Sequence, residues 1–228
     1  MAVEGGTLTV VYGRIGTAGR SEEKKYDSSL EAKKEGKKLV ADKIKKGYKE
    51  VKPVSFGEID FWNIIERAKK SSNGNVAHQA ELVGELLLTR PVADIIQFAN
   101  IFSKLHSETY RSDWWGAAYL INGGCSDDGF EDFRAWVISR GQKIFEEACK
   151  NPESLEKYIN KDNIGECEAE MLNYAACEVY EQKTGKDDFY EIIRYTTMPV
   201  IVFDWKEGDD SLKNKFPKLF KKCLALQA

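Results

Sequence analysis

The sequence predicts a mainly α-helical protein, with a small α+β unit at the N-terminus joined to a larger all-α unit. Three observations carry this. From about residue 60 onward, apolar residues recur at i, i+3, i+4 and i+7, the spacing of a buried helix face. Before that, the β-branched and aromatic run Thr7-Leu8-Thr9-Val10-Val11-Tyr12 is followed closely by glycines, as a strand entering a turn should be. Between the two, Lys52-Pro53-Val54-Ser55-Phe56-Gly57 breaks both neighbouring patterns. The boundaries drawn from these signals are 1–54 and 59–228. A chain of 228 residues, 42% apolar and 31% charged, is long enough to bury a core and reads as a soluble globular protein.

In the first unit the strand at 7–12 leads to Gly13, Gly16 and Gly19, which punctuate a turn around Arg14 and Ile15. Lys24-Lys25-Tyr26 is expected to be a second short strand. Asp27 and Ser28 are both good N-caps for the helix that follows to about Lys46, and Gly47 is its natural stop. Ala32, Gly36, Leu39, Val40 and Ile44 share one face of that helix, while Lys34, Lys38 and Lys45 gather on the other.

The second unit reads as successive helices. One spans about Asp60 to Lys70 and another about Ala77 to Leu88, stopped near Pro91. Ile95, Phe98, Ala99, Phe102 and Leu105 form the next stripe. Trp114 to Ile121 is a compact apolar segment ending at Gly123-Gly124. A helix starting at Ser126 or Asp127 carries Phe130, Phe133, Trp136 and Val137 inward. Pro152 suits the first turn of a short helix through Tyr158. A further helix is expected from about Ile164 to Gln182, ended by Gly185. Pro199-Val200-Ile201-Val202-Phe203 is expected to be a strand or a buried extended tail, and Asp204 to Asp210 an exposed acidic turn.

Composition narrows the functions. The cysteines Cys125, Cys149, Cys167, Cys177 and Cys223 are odd in number, widely spaced and form no CxxC pair, so reduced, packed thiols are expected rather than disulfides or a metal site. No cofactor or metal is implied. The absence of a membrane-length apolar run and of a signal pattern points to a cytoplasmic protein without a membrane partner. The net charge of −3 conceals an asymmetry. Residues 1–52 hold 13 Lys and Arg against 8 Asp and Glu, a balance of +5, and residues 53–228 hold 21 against 29, a balance of −8. A basic head on an acidic body suggests an anionic partner for the head and a protein partner for the body.

Tyr12-Gly13-Arg14-Ile15-Gly16-Thr17-Ala18-Gly19-Arg20, with Tyr26-Asp27-Ser28, Glu31-Ala32 and Lys45-Lys46-Gly47-Tyr48 after it, resembles the WGR domain, a nucleic-acid-binding module of poly(ADP-ribose) polymerases and some bacterial proteins. Tyr12 stands where the family has tryptophan, and the strands that usually precede the signature are missing. The resemblance implies binding to a DNA or RNA backbone. Physically, Gly13 would let the backbone approach phosphate, Arg14 and Arg20 offer bidentate donors, Tyr12 offers a stacking face, and Lys34, Lys38 and Lys45 add a salt-sensitive attraction. In the competing reading the glycines simply turn a hairpin, Tyr12 is core, and Glu31, Glu35 and Asp42 offset the lysines through i, i+3 and i, i+4 pairs.

Gly123-Gly124-Cys125-Ser126-Asp127-Asp128-Gly129-Phe130, then Phe133-Arg134-Ala135-Trp136, resembles a bacterial domain of unknown function, DUF4240. Phe61-Trp62, Trp115-Gly116-Ala117-Ala118 and Phe216-Pro217-Lys218-Leu219 fit it too, over about 59–222. This implies a helical fold and assigns no activity. Ser126, Asp127 and Asp128 can cap a helix start, with Arg134 tying down a carboxylate or a neighbouring segment. Alternatively they form an acidic site, with Cys125 or Ser126 as nucleophile, but nothing in the sequence places His78 or His106, the two histidines, beside the run. Glu166, Glu168 and Glu170, with Glu178 and Glu181, read as a solvated acidic helix, and the tryptophans as core. No catalytic residue is assigned. The preferred reading is a nucleic-acid-associated accessory or regulatory protein. The alternatives are a hydrolase or transferase at Asp127 and Asp128, and an immunity or other protein-interaction role.

Overall fold

The computed structural model describes residues 2–12, 20–47, 56–196 and 198–227, with the backbone alone at Ala2, Val11, Tyr12 and Arg20. The chain divides into two compact units, Met1–Val54 and Ser55–Ala228. It is mainly helical, with a small sheet confined to the first unit.

In the first unit, β1 (Ala2–Glu4), β2 (Thr7–Tyr12) and β3 (Arg20–Lys25) form an antiparallel sheet in the order β1-β2-β3. The strand β1 corrects the expectation that no strand precedes β2. At three residues it is too short to show alternation in the sequence. Gly5 turns the β1–β2 hairpin at φ +57°. Gly6 lies so close to the chain that a Cβ there would sit 2.4 Å from the Tyr26 carbonyl oxygen. Its own carbonyl accepts the Tyr26 N–H at 2.9 Å, one step beyond the Thr7–Lys25 pair that ends the ladder; β3 runs from Arg20 to Lys25, so it starts earlier than the expected second strand and stops short of Tyr26.

Helix α1 (Ser29–Lys45) starts where Ser28 Oγ accepts the Glu31 N–H at 3.1 Å. It ends before Gly47, whose φ of +86° is natural only for glycine. Its apolar stripe covers the sheet weakly. Leu8 and Ala32 are fully buried and Gly36 is buried, whereas Ile44, expected on the same inward face, is 52% exposed.

The second unit comprises α2 (Glu58–Ser71), α3 (Val76–Leu88), α4 (Val92–Glu108), α5 (Ser112–Asn122), α6 (Asp127–Ser139), α7 (Gln142–Lys150), a 3₁₀ turn (Pro152–Lys157), α8 (Glu170–Thr184), α9 (Phe189–Ile192), α10 (Ser211–Lys215) and α11 (Pro217–Gln227). The axis of this fold is α6. Every residue from Phe133 to Ser139 is buried, as expected of a helix covered on all sides, and α2, α3, α4, α5, α7 and α8 pack around it. Trp114 of α5 and Phe133 of α6 meet edge to face at 6.5 Å.

The carbonyls at the C-terminal end of α6 find donors from other helices. Gln79 Nε2 donates to Ser139 O at 2.7 Å, and Lys69 Nζ to Arg140 O at 2.6 Å, the lysine also suiting the negative helix end.

Three expectations need correction. The helix predicted from Ile164 begins only at Glu170. Gly165, at φ +83°, breaks it, and the N–H groups of Gly165, Cys167 and Ala169 donate instead to Ile121 O, Asn122 Oδ1 and Asp132 O. Glu166 and Glu168 therefore lie outside the acidic helix, which keeps Glu170, Glu178 and Glu181. Next, Pro199–Phe203 is neither strand nor buried: Val200 and Val202 are 92% and 82% exposed. Finally, Trp205, in the turn expected to be exposed, is buried and donates its indole N–H to Ser112 O at 2.8 Å. Gly116 makes this possible, because a Cβ there would meet Leu212 at 2.6 Å and the Trp205 indole at 3.1 Å.

Candidate functional site

The β2–β3 ladder ends with Tyr12 directly opposite Arg20. The segment that joins them, with Gly13 and Arg14, lies outside the described residues. On the ladder, Leu8 and Val10 lie on one face with their partners Lys24 and Glu22, and buried Leu8 marks this as the face toward α1.

Lys34, Lys38 and Lys45 are all exposed on α1. Of the offsetting pairs anticipated along this helix, Glu35 with Lys38 forms at 2.5 Å, and that bond raises the lysine pKa. Both side chains are solvated, so the pair holds little energy and is easily exchanged for another anion.

In the second unit, the Gly-Gly-Cys-Ser-Asp-Asp run is the junction between α5 and α6. Gly123 closes α5 in the left-handed conformation at φ +72°, and the Gly124 N–H also reaches back to Tyr119 O at 3.0 Å. Trp115 Nε1 holds the Cys125 carbonyl at 3.1 Å. Ser126 Oγ accepts the Gly129 N–H at 3.1 Å as the N-cap of α6, and Asp127 and Asp128 sit exposed in its first turn, where the helix end attracts negative charge.

Arg134, 3% exposed, binds neither aspartate. Its Nε donates to Phe130 O at 3.2 Å and its Nη1 to His106 O at 2.7 Å, while the guanidinium lies 4.7 Å from the Phe130 ring and 5.1 Å from Tyr110. Burial pulls its pKa down to about 10. It fastens α6 to the end of α4.

This geometry does not prepare a nucleophile at the junction. The Ser126 hydroxyl is engaged as a cap, and burial, followed by the nearby Glu168 charge, pushes the Cys125 thiol up to about 12. His106 is buried, and its Nε2 must carry the proton because it faces the Glu131 carbonyl at 2.9 Å. Burial, then the neighbouring Arg134 charge, lowers its pKa to about 3, so the ring stays neutral.

The sequence did not single out Asp132. Burial, then Glu170, Glu168, Glu131 and Asp128, raises its pKa to about 6. The signals available were Glu131 beside it and Asp128 one helical turn earlier; Glu168 and Glu170, just before and at the start of α8, come close only through the fold.

A groove of about 380 Å³ runs between Ile59, Trp62 and Glu66 of α2 and Gln142, Lys143 and Glu146 of α7, and one of about 200 Å³ lies beside Phe203 and Trp205. Neither is lined by Ser126, Asp127, Asp128 or Arg134. Among the described residues no group of three or more His, Cys, Asp or Glu is arranged to hold a metal ion, and no helix is long and apolar enough to cross a membrane.

Comparison with known families accounts for both units. The model described as "Protein of unknown function (DUF4240)" matches residues 57–182, more than half of the chain. The chain belongs to the DUF4240 family. A WGR domain matches residues 1–55 in front of it. Over 47 residues the chain is 45% identical to the uncharacterized protein YfeS of Escherichia coli strain K12, a stretch that covers 21% of this chain and 19% of that protein. The match thus spans about a fifth of the relative's length. No solved structure matches the chain. The Gly-Gly-Cys-Ser-Asp-Asp junction and Arg134 fall inside the DUF4240 match, and the Tyr12–Arg20 hairpin inside the WGR domain.

Proposed function

We propose that the WGR domain binds the sugar–phosphate backbone of DNA or RNA without reading its sequence, and that the protein acts as a nucleic-acid-associated accessory or regulatory factor in the cytoplasm. The observation that carries this reading is the WGR match over residues 1–55, on a unit whose β2–β3 ladder ends at Tyr12 and Arg20, on either side of the Gly-Arg-Ile-Gly run in the sequence. Tyr12 supplies a stacking face, Gly13 close backbone approach, and Arg14 and Arg20 the phosphate donors. Exposed Lys34, Lys38 and Lys45 add counterion release, with Lys38 exchanging its solvated Glu35 partner for phosphate. The two domains, 1–54 and 59–228, divide the work: the basic one binds nucleic acid and the acidic one engages a protein.

The test is a gel-shift series with the full chain on duplex DNA and on RNA at low and at near-physiological salt. Binding at low salt that weakens steeply with added salt, and weakens uniformly across sequences in Lys34→Ala/Lys45→Ala, is the expected result. No shift at low salt on either nucleic acid removes the proposal.

A further inference from the structure

We propose that the outward face of α8, together with the segment from α9 to Tyr195, is a docking surface for a basic protein segment that presents Arg or Lys between apolar residues. This inference rests on the reading that the acidic domain engages a protein, to which it gives a site and a partner chemistry, and it uses none of the residues of nucleic-acid binding, so the two can fail separately.

Met171, Tyr174, Glu178 and Glu181 follow one another at three- and four-residue steps and form a single stripe along α8. Met171 is 49% exposed and Tyr174 45%. Tyr190 and Tyr195 join them from the next segment, 48% and 63% exposed, and Ile192 adds to the same region at 39%. These side chains are neighbours in space. The Tyr190 hydroxyl sits against the Cys177 thiol, Tyr174 and Tyr195 are close enough to Tyr190 to act on its charge, and Cys177 itself contacts Glu181 at 3.4 Å.

A soluble surface usually carries large apolar residues singly; a contiguous set of tyrosines and methionine is the composition of an interface core. The rim decides the partner. Glu178 and Glu181 lie in the stripe itself, Glu170 and Glu191 are exposed on α8 and α9, and among the described residues none of the four is in an ion pair; they outnumber Arg194, the one exposed cation between α9 and Tyr195. Lys183, on the same helix, is committed to the Leu88 carbonyl at 2.8 Å. Exposed aromatic faces and unpaired carboxylates attract the same thing, a cation, the rings through their quadrupole and the acids through their charge. An anionic partner such as nucleic acid would be repelled. A basic, partly apolar peptide satisfies both halves of the surface.

The full chain is titrated against a labelled peptide of alternating arginine and leucine, and against versions with serine or glutamate in place of arginine, by fluorescence anisotropy. The arginine peptide binds and the other two do not, and added salt weakens the complex. Tyr174→Ala/Tyr195→Ala weakens binding about tenfold, Tyr195→Phe keeps it, and Glu178→Gln/Glu181→Gln removes most of the salt dependence. Asp127→Asn/Asp128→Asn, carrying acids of α6 outside the patch, stays within about twofold of the wild type. Circular dichroism confirms that each variant is folded, and the glutamine pair tests the surface without touching an apolar side chain. No binding of the arginine peptide at low salt overturns the proposal. So does equal binding of the serine peptide, which would make the patch merely apolar, or loss in the α6 variant with the tyrosine variant unchanged.

Discussion

The WGR domain and the helical unit hold their folds by different means. In the helical unit, one helix is surrounded on all sides and aromatic side chains fill the space around it, with Trp114 and Phe133 fully buried and Trp136 nearly so. In the WGR domain, the fully buried side chains among the described residues are Leu8 and Ala32, and the rest of its described structure is held by the β1-β2-β3 ladder, the Gly5 turn and the Ser28 cap. Burial over-determines the first fold, so a single polar residue such as Arg134 can be enclosed there. The second is small and thinly packed, so its backbone geometry matters more than any one contact.

Core truncation exposes this difference most strongly. Trp114→Ala leaves a large void and lowers the stability of the helical unit by about 3–5 kcal/mol in denaturant titration. Trp114→Phe loses less, because it also removes an indole N–H that is buried and, among the described residues, has no hydrogen-bond partner. Leu8→Ala strips amide protection from β2 and α1 in hydrogen exchange while α6 keeps its protection. If α6 loses protection as well, the two units fold as one and the contrast fails.

A pH effect follows from His106, which belongs to the helical unit alone. Its folded pKa of about 3 lies below the ordinary value of 6.5, so the unfolded chain takes up a proton that the folded chain refuses. The stability this group protects is present above pH 6.5 and is lost as pH falls toward 3, at about 1.4 kcal/mol per pH unit. In denaturation midpoints taken from pH 7 to pH 4, His106→Gln falls less steeply than the wild type. Parallel curves would show that the ring is not held neutral.

How much of this was legible depends on where each residue's partners lie in the chain. The apolar spacing of α2 to α6, the Ser126 cap and the Pro152 turn are local signals, and the structure has them. The delayed start of α8 is not local, because the N–H groups of Gly165, Cys167 and Ala169 are taken by α5 and α6, more than thirty residues away in sequence. Trp205 was hidden for the same reason: acids on both sides make its loop look exposed, while its indole reaches Ser112. At the junction, Ser126 and the two aspartates were readable as caps, but Arg134 could be assigned to His106 O only in three dimensions. In the WGR domain the motif was plain and β1 was not, since three residues carry no period.

Glycine substitutions give the smaller contrast. Gly6→Ala drives a Cβ to 2.4 Å from a backbone oxygen that cannot turn aside, and costs the WGR domain about 2 kcal/mol. Gly84→Ala in α3 meets only Val179 Cγ2 at 3.6 Å, an ordinary contact, and stabilises the helical unit by about 0.5–1 kcal/mol. Thermal melts of the two variants should move in opposite directions. A stabilising Gly6→Ala would show that the Gly6–Tyr26 approach is not as tight as it stands here.

The most direct measurement is the salt dependence of duplex DNA binding by the full chain, compared with Arg14→Ala/Arg20→Ala. If these two arginines contact phosphate, the slope of log affinity against log salt becomes shallower by about two in the variant, and affinity falls uniformly across sequences. An unchanged slope, or a wild-type chain that does not bind at low salt, would contradict the account.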